Sequence, residues 1–154
     1  MIKKWLAILL VAVLCSVFLG CGDDPPEEEK DPSALPSELV TYLKDTLGIE
    51  NLKTPAGTTF DHWRKYGNDE GVCIAWKDAE EKEFDAYKTA WGGSVKANVS
   101  ARAIAQTSDE FDLTITGITT AFVNFYGAGK GGDVADITPA FAVESNSIFF
   151  GAIK

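Results

Sequence analysis

The chain has 154 residues, with 14 Lys and Arg against 23 Asp and Glu, a formal net charge of -9. That length suits one domain and leaves little room for two cored ones. Hydrophobic content of 45% excludes a chain disordered throughout, and the acidic balance excludes broad nucleic-acid binding, which needs clustered Lys and Arg. One His and three Cys leave little material for a metal site.

Composition changes sharply along the chain. Residues 1–20 begin with Lys3 and Lys4 and continue as an apolar run from Trp5 to Leu19, with Ser16 its one clearly polar residue. Fifteen helical residues span about 22 Å, short of the ~30 Å hydrocarbon core, so the segment reads as a secretory signal rather than a span. An ordinary cleaved signal and an uncleaved anchor are the alternatives. The run ends Phe18-Leu19-Gly20-Cys21, and Gly22-Asp23-Asp24 follow at once.

Small Gly20 directly before Cys21 resembles the lipobox of bacterial lipoproteins, although Phe18 stands where Leu is usual. The resemblance covers residues 1–21. It implies a diacylglycerol on the Cys21 sulfur, cleavage before Cys21 and acylation of the new amino terminus, so that the membrane itself is a partner. Gly22, where enteric lipoproteins kept in the inner membrane carry Asp, implies the outer membrane, on either side. The acidic run after Cys21 also resembles surface-export signals of some envelope lineages.

With Cys21, residues 22–36 form an acidic, Pro-rich tether. Four prolines, six acids and Lys30 leave nothing to bury, so the stretch should be extended and solvated. It lacks the alternating Asp spacing of a calcium loop. Removing the signal and tether leaves 118 residues with 11 basic and 17 acidic side chains, so much of the acidity belongs to the spacer.

Residues 37–154 read as a single folded body. Ser37 caps a short helix carrying Leu39, Val40, Leu43 and Leu47, with Gly48 as its stop. Residues 49–58 are loop. Phe60–Tyr66 fits helix by Phe60, Trp63 and Tyr66, and strand by Phe60, His62, Arg64 and Tyr66. Residues 67–71 are a turn, and Val72–Lys77 is a strand. Asp78 with Glu81 forms a capping-box-like start to a helix bearing Phe84, Tyr87 and Trp91 on one face, ended by Gly92-Gly93.

Strict alternation over residues 95–106 predicts a long strand with Ile104 out of phase. After a turn at 107–110, Phe111, Leu113 and Ile115 begin another strand, bulged at Gly117 and continuing from Ile118 to Tyr126. A glycine-rich turn at 127–132 precedes strands near 133–144 and 148–153, and Pro139 marks an edge or a bulge. The predicted fold is α+β, an antiparallel four- to five-stranded meander with a helix packed across it, plus a short N-terminal helix. This strand-helix-four-strand order resembles cystatin and NTF2-like topologies, which implies architecture and no function. The Gln-x-Val-x-Gly loop of cystatin inhibitors is missing.

Motifs for chemistry are sparse. Cys73, flanked by Val72 and Ile74, reads as a small buried apolar group; a nucleophile paired with His62 and oriented by Asp61 is the catalytic alternative. His62 has no second His or Cys at ligand spacing, so neither a metal nor any other cofactor is implied. The 126–133 stretch is not a phosphate loop, because Asn124 and Gly131 occupy positions that need Gly and Ser or Thr. Asn98-Val-Ser100 matches a glycosylation sequon of little meaning on a bacterial strand.

The sheet faces offer more. Ile104, Ile118, Phe122 and Tyr126 should gather on the reverse of the helix-covered face, with Trp63 and Trp76 near them. Either residues 37–66 fold over this surface, or it is a groove or cavity for a small apolar ligand or an envelope protein partner. The expectation is a non-catalytic, lipid-anchored binding or accessory module of the cell envelope, with a small hydrolase using Cys73 and His62 as the alternative.

Overall fold

Two runs, Gly71–Lys77 and Ser147–Ile153, are apolar almost without interruption, which suits strands covered on both sides rather than on one. The computed structural model describes residues 30–96, 107–134 and 137–154. The predicted signal, Cys21 and most of the tether therefore lie outside the described residues, as does most of the 95–106 strand with Ile104 and the sequon.

Asp31–Lys154 forms a compact unit. Helix α1, Ser37–Tyr42, continues through a π-type turn, Leu43–Leu47, to Gly48 at φ 73°. Strands β1 (Thr59–Tyr66) and β2 (Gly71–Lys77) precede helix α2 (Glu81–Trp91). A 3₁₀ turn at Gly92–Ser94 leads into β3 (Val95–Lys96), then come β4 (Asp109–Leu113), β5 (Thr120–Tyr126), β6 (Gly132–Asp133), β7 (Ala142–Val143) and β8 (Ser147–Ile153). The protein is α+β; its described residues form a six-stranded antiparallel sheet in the order β1-β2-β8-β5-β4-β3 and a two-stranded ribbon β6-β7.

The sheet is not a sequential meander. The last strand, β8, inserts between β2 and β5. Rows such as Trp63-Ile74-Phe150-Val123-Phe111 thereby run across five strands. This places the two most apolar strands in the middle, where both faces are buried. The ambiguous 60–66 segment is strand β1, bulged between Phe60 and His62.

Gly117 does not bulge one long strand. It has φ 79° in a connection where Ile118 N donates to Ile115 O at 3.1 Å, and β4 and β5 pair back on each other, Phe111 opposite Val123. A period-two pattern looks alike on both sides of a tight turn, so the alternation could not distinguish the two arrangements.

The helix starts also differ in detail. Asp78 has φ 61°, a left-handed conformation unlike that of an N-cap, and Glu80 takes the role instead. Glu80 N donates to Glu83 Oε2 at 3.0 Å, closing a capping box with the Glu83 backbone. In α1, Pro36 precedes the first turn and Ser37 makes no cap bond. Its buried stripe is Leu39, Tyr42, Leu43 and Leu47, while Val40, one position off the stripe, is 46% exposed.

Two cores flank the sheet. On the helix side, Phe84 and Tyr87 of α2 pack with Leu39 and Leu43 of α1 against Val72, Ile74, Trp76, Val123 and Phe150. The Phe84 ring lies 5.4 Å from both Phe111 and Phe125. On the reverse face, Cys73, Ala75, Tyr126 and Phe149 are covered by Val134, Ile137, Phe141 and Val143. Residues 37–66 do not supply this cover: α1 joins the helix-side core and β1 extends the sheet.

The compact unit also takes in Asp31–Pro36, grouped with the solvated tether by composition. Ser33 is fully buried, and its N–H and hydroxyl donate to Asp31 Oδ1 at 2.9 and 2.8 Å. These bonds hold the Asp31 carboxyl below the usual carboxylate range. Phe60 N donates to Pro32 O at 2.8 Å, and Trp76 Nε1 to Ser33 O at 3.0 Å, so this strap hydrogen-bonds to the body.

Candidate functional site

Of the six aromatic and aliphatic candidates, Ile104 lies outside the described residues, and the other five do not converge. Trp63 is half-buried against the helix-side core, its ring 5.7 Å from Tyr42. Trp76 is fully buried in that core, and Ile118 packs against its margin. Phe122 and Tyr126 belong to the reverse face, where Phe122 lies 5.6 Å from Phe149. Strand alternation accounts for this division: in each row across the sheet, Trp63 shares the side of Ile74, whereas Arg64 shares that of Cys73.

The reverse face is packed with aromatic and polar groups beneath the 137–143 segment. The His62 ring stacks on Phe141 at 4.5 Å, and its Nδ1 donates to Asp61 Oδ2 at 2.7 Å. Arg64 lies over the Phe141 ring at 5.5 Å; its Nη1 donates to Ala140 O at 2.9 Å and its Nη2 to the Pro139 carbonyl. Tyr126 is fully buried, and burial raises its hydroxyl above the ordinary value, with Asn124 beside it pulling the other way.

Cys73 is fully buried, and burial pushes its thiol from 9.0 up to about 12, against a smaller opposing pull from Arg64. A nucleophilic cysteine needs access and a thiolate at neutral pH. Cys73 has neither. His62 and Cys73 do share the reverse face, but in different rows, His62 opposite Ala75 and Arg64 opposite Cys73.

A concave surface lies elsewhere, at the end of the sheet where β2 and β5 finish and β4 and β8 begin. This cleft of about 840 Å³ is walled by the approach to α2, by Ser108 and Asp109, and by the turns at Gly127 and Glu144–Asn146. Ala79 N donates to Asn146 O at 2.8 Å, and Gly127 N to Ser108 Oγ at 3.1 Å, so neighbouring walls are tied together. Its lining carries Asp78, Glu80, Glu81, Asp109 and Glu144 against Lys77, an excess of negative charge in a confined space. Lys82 offsets part of it, 3.2 Å from Glu80.

Among the described residues, no group of three His, Cys, Asp or Glu is placed to hold a metal ion. Nor is any helix among them long and apolar enough to cross a membrane. The cleft was not anticipated from the chain. Its acids come from segments far apart in sequence, and the local signal was no more than turn residues at 78–80 and 144–146. Comparison with protein-family models, with curated proteins and with solved structures finds no match to this chain.

Proposed function

We propose that this is a lipid-anchored protein of the bacterial cell envelope, held at the outer membrane through Cys21. Its body is a non-catalytic binding module that receives a basic segment of an envelope partner protein in the acidic cleft. The anchor rests on the apolar run closed by Gly20-Cys21. The observation that carries the binding mode is the cleft itself: five carboxylates line it against Lys77, while the two faces of the sheet are packed by the chain's own side chains. Apolar contact is thus largely spent inside the fold, and charge remains at the concave surface. A cationic segment would be steered there at low ionic strength and released by salt.

Two measurements test this. Metabolic labelling with palmitate should mark the wild-type chain and not Cys21→Ala, which should leave the membrane fraction or accumulate uncleaved. Unlabelled wild-type protein would refute the anchor. For the cleft, crosslinking of the full chain in cells should recover a partner that Glu81→Lys with Glu144→Lys loses. Both side chains are exposed, so the cost should stay near ~0.5 kcal/mol at Glu144 and about 1 kcal/mol at Glu81, which lies in the first turn of α2. Recovery unaffected by that charge reversal and by added salt would reject the cleft.

A further inference from the structure

The segment Ile137–Phe141 lies over the reverse face without contributing a strand to the six-stranded sheet. Its apolar contacts are Ile137 and Phe141, which join Cys73, Ala75, Tyr126 and Phe149 in a cluster separate from the helix-side core. Phe141 meets Phe149 edge-on at 5.4 Å and stacks on the exposed His62. Val134 N donates to Phe141 O at 2.8 Å at the end of the β6-β7 ribbon, and among the described residues the bonds that tie the segment to the sheet beneath it come from one side chain. The planar fork of Arg64 reaches two successive carbonyls, those of Pro139 and Ala140, while its cation covers the Phe141 ring. The sheet below is held differently, by its own ladders and by the larger core on its other side.

We propose that Ile137–Phe141 is a latch, closed over the reverse face by Arg64, which opens locally while the sheet and the helix-side core stay folded. A covering segment tied to the sheet below by one guanidinium and a small cluster belongs to the low-stability end of a structure, where sub-global opening occurs. Opening uncovers Cys73, Phe149 and Tyr126 together. Cys73 reports the event, since the thiol is sealed when the latch is closed.

The test is alkylation of the full chain by iodoacetamide, read by mass spectrometry on the Cys73 peptide so that other thiols do not interfere. Arg64→Ala should label at least tenfold faster than wild type, while its global stability in urea falls by no more than that factor implies, about 1.4 kcal/mol per tenfold. Arg64→Lys, which keeps the charge and loses the two-pronged geometry, should fall between them. In the wild type, labelling should rise only shallowly with urea, because little surface is exposed on opening. Equal labelling of Arg64→Ala and wild type overturns the latch. So does wild-type labelling that climbs with urea as steeply as global unfolding, and this second measurement decides the matter even where Arg64→Ala does not fold.

Discussion

Trp76→Ala should cost about 3–5 kcal/mol, the largest loss expected from any single substitution in this chain. The side chain is fully buried in the helix-side core, on β2 between Phe60 of β1 and Ile148 of β8. Its ring lies 6.1 Å from Tyr87, where helix α2 meets the sheet. Truncation would leave a cavity bounded by both layers and would remove the indole donor from Ser33 O. Ser33 is itself buried, so its carbonyl would be left without that partner. The strap of residues 31–36 would loosen along with the core. Trp76→Phe keeps most of the volume and loses the hydrogen bond, at an expected cost of about 1–2 kcal/mol. Urea unfolding measures both. A loss below about 1 kcal/mol for the alanine variant would contradict the buried, dual role.

Alkaline pH should unfold the protein progressively, and Cys73 should set where the decline begins. The folded thiol titrates at about 12 rather than at 9.0, mainly because burial disfavours the thiolate. The unfolded chain releases that proton first as pH rises. Stability is therefore fully present below pH 9 and drains between pH 9 and 12. By pH 11 this one group accounts for about 2–3 kcal/mol. Tyr42, Tyr87 and Tyr126 are all raised by burial and act in the same direction above their ordinary value of 10.0. Cys73→Ala should flatten the curve between pH 9 and 10 and leave the tyrosine-driven decline above it. Parallel curves for the two proteins would show that the thiol is not sealed in the folded state.

Both expectations depend on which side of a strand a residue occupies, and that was partly legible. Alternation on β5 placed Phe122 and Tyr126 together on the reverse face, where the structure has them, while Ile118, grouped with them, packs against the helix-side core. The expectation of an apolar reverse surface, either covered or open as a groove, rested on the same pattern. What covers the second face did not follow, because Ile137 and Phe141 lie in a stretch with no regular period. A ribbon of two residues per strand leaves no periodic trace. Arg64 likewise gave no warning. Its carbonyl partners are 75 and 76 residues away in sequence.

Local pattern was enough for the α+β class, for strand β2 and for helix α2 with its Phe84 and Tyr87 face, because each depends on a short-range period and a nearby stop signal. It was enough, too, for the division of charge that leaves the body less acidic than the whole chain. Strand order, the hairpin at Gly117, the inclusion of residues 31–36 and the acidic cleft all required the folded chain. Each depends on which distant segments meet, and β8 is the clearest case. It follows β5 by two intervening ribbon strands in chain order, yet it lies between β2 and β5, since a strand apolar on both faces is best placed where both faces are covered.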